Sequence, residues 1–198
     1  MSEARATFAI VRRHIDRRFA LDWAMAFVLI GVIAYLFGRI FGPVGAVGIV
    51  GALSATFTAE RSHARSLRRL TFFAVPLYGR QLARAHAVAP ALAALAIPLG
   101  YAAGTALHGT PFSSATLLDC VLGALVATLV ALSSTFRDGL RAALYVLLGF
   151  AAAESLALPY IFRLDHATAL VAFLALVEGF FALRAFGETL ARYDPLPE

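Results

Sequence analysis

Long apolar runs, parted by turns of only a few residues, constrain this chain more than any other feature. A helical run of about 20 apolar residues matches the hydrocarbon thickness of a bilayer. Six such runs can be marked: Leu21–Gly38, Phe41–Ala59, Ala85–Leu107, Phe112–Thr135, Ala142–Phe162 and Ala167–Phe186. Hydrophobic residues make up 61% of the 198 residues, charged ones 15%, and mean hydropathy is +0.79. A soluble domain does not carry that balance. Six spans use about 120 residues, which leaves short loops and no separate soluble domain. The expected fold is an all-α membrane protein, one six-span domain over residues 1–198.

One stretch breaks the pattern. Glu60–Arg84, ERSHARSLRRLTFFAVPLYGRQLAR, carries six of the 17 arginines in 25 residues. It is too charged to cross a bilayer, and it is patterned. Leu67, Leu70, Phe73 and Ala74 recur at helical spacing, while Arg61, Arg65 and Arg68 share another face, with Arg69 beside them. Pro76 disfavours α geometry at Val75 and suits the first turn of a helix starting near Leu77. The reading is helix, break, helix.

The ends of the spans follow. Residues 5–19 place Phe8, Val11, Ile15 and Phe19 on one face and Arg12, Arg13 and Arg17 on others, which predicts an interfacial helix before the first span. Gly42, Gly45, Gly48 and Gly51 form a small-residue face on span two, suited to close helix approach. Pro90 and Pro98 predict kinks in span three. Thr110-Pro111 reads as the cap and first turn of span four. Trp23, Tyr35, Tyr101 and Tyr160 lie near span ends, as interfacial aromatics do. The first apolar run starts near Phe19 without a small-residue cleavage site after it, so no removable signal peptide is expected.

Arginine counting sets the orientation. With both termini in the cytoplasm, all the arginines lie on the inner side except Arg39 and Arg163. The expected location is the inner membrane, multi-pass, with Glu60–Arg84 cytoplasmic. The net charge of +5 then reflects topology and anionic lipid head groups, not nucleic acid. Cys120, the single cysteine, sits in an apolar run and supports neither a disulfide nor a metal framework. His14, His63, His86, His108 and His166 have no ligand spacing, so no metal site is expected.

The central stretch resembles the ABC-2 type permeases, the membrane halves of type V ABC transporters. It carries Glu60-Arg61 at the end of span two, then Leu67-x-x-Leu70, then Pro76-Leu77-x-x-Arg80-Gln81-Leu82 before span three. The six-span layout and the amphipathic start also look like this family. The match covers most of the chain in layout and about 25 residues in detail. The chain lacks the large outer domain and the re-entrant helices of many relatives. It is nearer in size to the small export permeases with minimal outer loops. The resemblance implies a coupling helix between spans two and three that docks on a separate ATPase. Leu67, Leu70 and Phe73 would pack in a groove of that subunit. Arg61, Arg65, Arg68 and Arg69 would meet acidic rim residues or lipid phosphates, with Glu60 and Pro76 as the fixed ends. No GxxxxGK-S/T motif is present, so ATP would be bound by the partner and this chain would hold no cofactor. Export, and pairing with a second copy or a related permease chain, are further implications.

Asp119, Glu154 and Glu178 lie within apolar runs. Asp119 and Glu154 fall roughly 10–12 Å below the outer face, with Glu178 nearer the middle. Acids at such depth are costly and face a cavity or a partner. They can line a translocation path or titrate with protons. Equally, they can pair with Arg39, Arg163 or hydroxyls. Glu154 stands out because Ala151, Ala152, Ala153 and Ser155 leave space beside it and Pro159 follows. Other classes remain in view: a stand-alone proton-coupled secondary transporter, and an accessory subunit of a membrane complex. An intramembrane enzyme fits poorly. The serine of Gly51-Ala52-Leu53-Ser54 has no histidine at a matching depth, and Asp138-Gly139-Leu140-Arg141 lacks the later aspartates of a head-group transferase. No catalytic residue is expected.

Overall fold

The structure is a computed structural model that describes residues 3–15, 17–37, 43–60, 79–110, 113–136, 139–162 and 166–192. The described residues are helical throughout, with no strand. In order the helices are α1 (Glu3–His14), α2 (Arg17–Phe37), α3 (Pro43–Glu60), α4 (Gly79–Ala94), α5 (Ala96–Leu107), α6 (Ser114–Ala131), α7 (Gly139–Ser155), α8 (Leu158–Ile161) and α9 (Ala167–Arg192). A 3-10 turn, Leu132–Phe136, continues α6.

Among the described residues, four helical stretches are long and apolar enough to cross a membrane: Arg17–Phe37, Ala83–Leu107, Ser114–Ser134 and Ala167–Ala191. By length and composition the chain is a multi-pass membrane protein. The other two expected spans fall on shorter apolar segments. One is α3, with the apolar stretch Ala46–Thr58. The other is α7, which ends at Ser155 and is followed by the short α8. Pro159 sits in the first turn of α8, where its missing N–H costs nothing. The expected uninterrupted fifth span is therefore two pieces.

The prolines of the third run do their expected work, with the break between them. α4 ends at Ala94 and α5 begins at Ala96. Pro98, in the first turn of α5, has no N–H for the Ala94 carbonyl and crowds it sterically. The Trp23 indole of α2 donates to the Leu92 carbonyl just before the break, at 3.1 Å. α5 closes with Gly109 at φ 81° and the Thr110 N–H on the Thr105 carbonyl at 2.9 Å. That 6→1 bond with a left-handed glycine is a Schellman ending. The cap of α6 is Ser113, whose Oγ accepts the Thr116 N–H at 3.1 Å, rather than Thr110-Pro111. The Thr110 hydroxyl turns back to α5 and donates to the Thr105 carbonyl.

α6 is the hub, touching α3, α4, α5, α7 and α9. Small residues set how closely α3, α6 and α7 approach. A Cβ on Gly149 of α7 would come 2.7 Å from the Ala127 carbonyl oxygen of α6 and 3.3 Å from Ala55 Cβ of α3. Ala55, Ala127, Ala131 and Ala153 form a fully buried alanine cluster between the three helices. Gly48 and Gly51 serve as the packing face expected for span two, against Glu154 and Ala153 of α7. In lipid, such close contact is what drives helices together.

α2 stands apart. It packs mainly on α5, and only Ala26, Ile30 and Ala34, four residues apart, are buried. The two helices run parallel. Gly31 faces Gly100, Gly104 faces Gly31 and Ala34, and the Tyr35 ring meets His108 edge-on at 5.8 Å.

The N-terminal helix differs from expectation. It ends at His14, and Arg17, Arg18 and Phe19 already belong to α2. Ile10, not the Phe8–Val11–Ile15 face, turns inward. It is buried with Ala83, Ala85, Ala87, Leu132, Phe186 and Leu190, while Phe8 is 66% exposed. α1 is held by α4 through this one side, so its amphipathic face is left to the surroundings.

The helix directions place like features together. α1, the starts of α2, α4 and α7 and the end of α9 share one end of the bundle, with Arg5, Arg12, Arg17, Arg18, Arg84, Arg141 and Arg184 all exposed. The starts of α3, α6 and α9 and the end of α7 share the other.

Candidate functional site: buried acids opposite the arginine end

Asp119 lies in the second turn of α6 and is fully buried. It accepts a hydrogen bond at Oδ2 from the Tyr160 hydroxyl of α8. Tyr160 in turn lies 3.2 Å from the Thr168 hydroxyl at the start of α9. Asp119 Oδ1 has no hydrogen-bond partner among the described residues. Tyr160, half-buried, is therefore a positioning partner of the acid. Tyr101 departs from the interfacial placement expected: it is 2% exposed and sits in the main core with Cys120, Ala124 and Val126. It lies on the side of α5 that faces α6 and α3 and so turns into the bundle.

Glu178, midway along α9, meets Ser155 at the end of α7, with Oγ to Oε1 at 2.5 Å. Ser155 Oγ is also 2.7 Å from the Ala152 carbonyl. A hydroxyl has one hydrogen. When Ser155 gives it to Ala152, the contact with Glu178 needs a proton on the carboxyl group. Glu178 Oε2 is buried without a partner among the described residues.

Glu154 turns the other way, toward α3. Its carboxylate lies over Gly48, where a Cβ would come within 2.6 Å of the Glu154 Cδ. The room beside Glu154 comes from this glycine. The small flanking residues do not supply it, because Ala153 is fully buried against Gly51 and Gly123. Any side chain at position 48 would displace the carboxylate.

The three acids thus share one half of the bundle but not one pocket. Asp119 belongs with α8 and α9, Glu178 with Ser155, and Glu154 with α3. No group of three or more His, Cys, Asp or Glu side chains is arranged for a metal ion among the described residues. Arg39 and Arg163, the expected cationic partners, lie outside the described residues. Hydroxyls satisfy one oxygen each of Asp119 and Glu178, and the second oxygen of each is left over. A buried carboxylate oxygen without a donor is expensive. Such groups suit a proton or a passing polar or cationic species. The partners Tyr160, Ser155 and Thr168 were not legible as such. Tyr160 is 41 positions from Asp119, and only the helix directions bring the two together.

An open groove of about 380 Å³ lies elsewhere, between α2 and α5, lined by Phe27, Val28, Gly31, Val32, Tyr35, Ala103, Gly104 and Leu107. None of the three acids lines it, and Tyr35 is its one residue with a polar side-chain group.

The sequence-based docking residues Arg61, Arg65, Leu67, Leu70, Phe73 and Pro76 lie outside the described residues. Glu60 is the last residue of α3. α3 ends and α4 begins at the arginine end. No family model, no curated protein and no solved structure matches the chain.

Proposed function

We propose that the chain is the membrane-spanning permease subunit of an ABC-2 type transporter, an exporter driven by a separate ATPase. In this reading there are six spans. α3, and α7 with α8, supply the two beyond the four long apolar stretches. α3 has 18 residues, about 27 Å of helix at the usual rise, close to the hydrocarbon thickness. Both termini and the arginine end face the cytoplasm of the inner membrane. ATP is bound by the partner, and a second copy or related chain completes the permease.

The observation that carries the reading is where the charges fall. The exposed arginines of α1, α2, α4, α7 and α9 gather at the end where α3 finishes and α4 starts, and Asp119, Glu154 and Glu178 lie in the other half. Positive charge on one side is the mark of the cytoplasmic face. An arginine-rich, amphipathic segment at that face suits docking on a soluble subunit. The acids Asp119, Glu154 and Glu178 then lie on the outward half of the route.

The test is purification of the tagged full chain from its own membranes in mild detergent. A subunit carrying a nucleotide-binding motif should co-purify with ATP hydrolysis. Leu70→Asp should remove both while the chain stays membrane-inserted. Recovery of the ATPase at full yield with Leu70→Asp would exclude the coupling assignment.

One observation favours a second reading, a proton-coupled carrier that works alone. Asp119 and Glu178 pair with hydroxyls and each keeps an oxygen free of hydrogen bonds. A carrier of that kind works in vesicles without ATP and loses activity with Glu154→Gln. An ABC permease does not turn over without nucleotide.

A further inference from the structure

We infer that α2 and α5 form one rigid arm that swings on the break at Leu95, with the Trp23–Leu92 hydrogen bond as its latch. Independent features support this. The first is the stiffness of the pair. A Cβ on Gly100 would lie 3.1 Å from both the carbonyl carbon and the Cα of Phe27, and one on Gly104 would lie 2.9 Å from the carbonyl carbon of Gly31. The two backbones are in direct contact, so α2 and α5 cannot slide or part without losing most of the packing of α2.

The second feature is the weakness of the joint. Pro90 inside α4 and Pro98 in the first turn of α5 each remove a backbone donor. The helix ladder is thinned on both sides of Leu95, a turn residue that keeps helical angles (φ −62°, ψ −22°) and still accepts the Leu99 N–H at 3.2 Å, so the joint is a weakened bend in a continuous helical run. The third is the division of contacts. α4 is fixed to α1, α9 and α6, whereas the main partner of α5 is α2. α5 meets the rest of the bundle at α6 and α3, where Ile97 and Tyr101 join Cys120, Ala124, Val47 and Val50 in the core.

The swing therefore opens the seam between α5 and α6 and uncovers Cys120, next to Asp119. It gives the buried acid a way out to the outer half of the membrane. The device works the same whether an ATPase, a proton or a bound substrate drives it, so its test is independent of the proposed function.

Cys120 is the single cysteine and is 1% exposed, which makes it a native reporter. The experiment follows its labelling by a small, water-soluble cationic methanethiosulfonate, with the full chain in lipid vesicles. Trp23→Phe keeps the ring and removes the donor. It should raise the labelling rate about 3- to 10-fold, in line with one lost interhelical hydrogen bond. Pro98→Ala restores the helix ladder and should lower the rate below that of the parent. A control carries Ser54→Cys with Cys120→Ser, placing the reporter at a fully buried position of α3; Trp23→Phe should leave its rate unchanged. Equal rates for parent, Trp23→Phe and Pro98→Ala would overturn the hinge. So would an equal rise at position 54, which would mean general loosening instead of a swing.

Discussion

Gly100→Ala is the smallest change that can separate α2 from α5. The added methyl would sit 3.1 Å from two backbone carbons of Phe27, closer still to the Phe27 carbonyl oxygen. No flexible side chain is there to yield, so the helices themselves must move apart. Overpacking costs about 1–3 kcal/mol, and a backbone-to-backbone clash belongs at the upper end. The better helix propensity of alanine returns about 1 kcal/mol. The expected net loss is about 2 kcal/mol, roughly 30-fold in the folding equilibrium. Gly179→Ala is the matched control. It lies within α9, where a Cβ would meet only Leu129 Cδ1 at 3.7 Å, ordinary contact. It should be neutral or stabilising by up to about 1 kcal/mol. Both are measured by detergent-titrated unfolding in mixed micelles. Trp23 is the single tryptophan and stacks on Phe27 at 5.5 Å, so its emission reports the altered contact directly. A Gly100→Ala protein as stable as the parent, with unchanged emission, would refute the close-packed pair. Equal destabilisation by Gly179→Ala would refute the steric reasoning.

Other outcomes follow from the same geometry. Tyr160→Phe strips Asp119 of its donor and should cost about 1–3 kcal/mol, whereas adding Asp119→Leu should recover much of that loss, because neither polar group is then left buried alone; a double-mutant cycle of unfolding free energies measures the coupling. Ala153→Leu drives a large side chain between Gly51 and Gly123 and should cost 3 kcal/mol or more, about the top of the overpacking range, seen as loss of the monodisperse peak in size exclusion. Ala151→Leu, exposed two residues earlier on the same helix, should leave that peak intact.

Much of the fold was readable because the bilayer imposes one length on every span. The apolar runs located α2, α6, α9 and the stretch Ala83–Leu107 across α4 and α5 within a few residues. Proline chemistry placed the break in the third run, and Gly48 and Gly51 marked a real packing face. Caps and short breaks were less legible. Ser113 and Thr110 are both good cap residues, and their roles depend on where α5 ends. The acids were visible as charges in apolar runs, since such residues are rare in lipid. Their partners were not visible.

The sequence by itself determined a helical, multi-pass chain with its arginines biased to alternate turns, because burial in lipid and charge at its edges are properties of composition and order alone. The tertiary structure decided what each buried group meets. Helix direction and small-residue contact bring Tyr160 to Asp119, Ser155 to Glu178 and Gly48 under Glu154. Those pairings depend on the packing of separate helices against one another, and no local pattern along the chain encodes that distance.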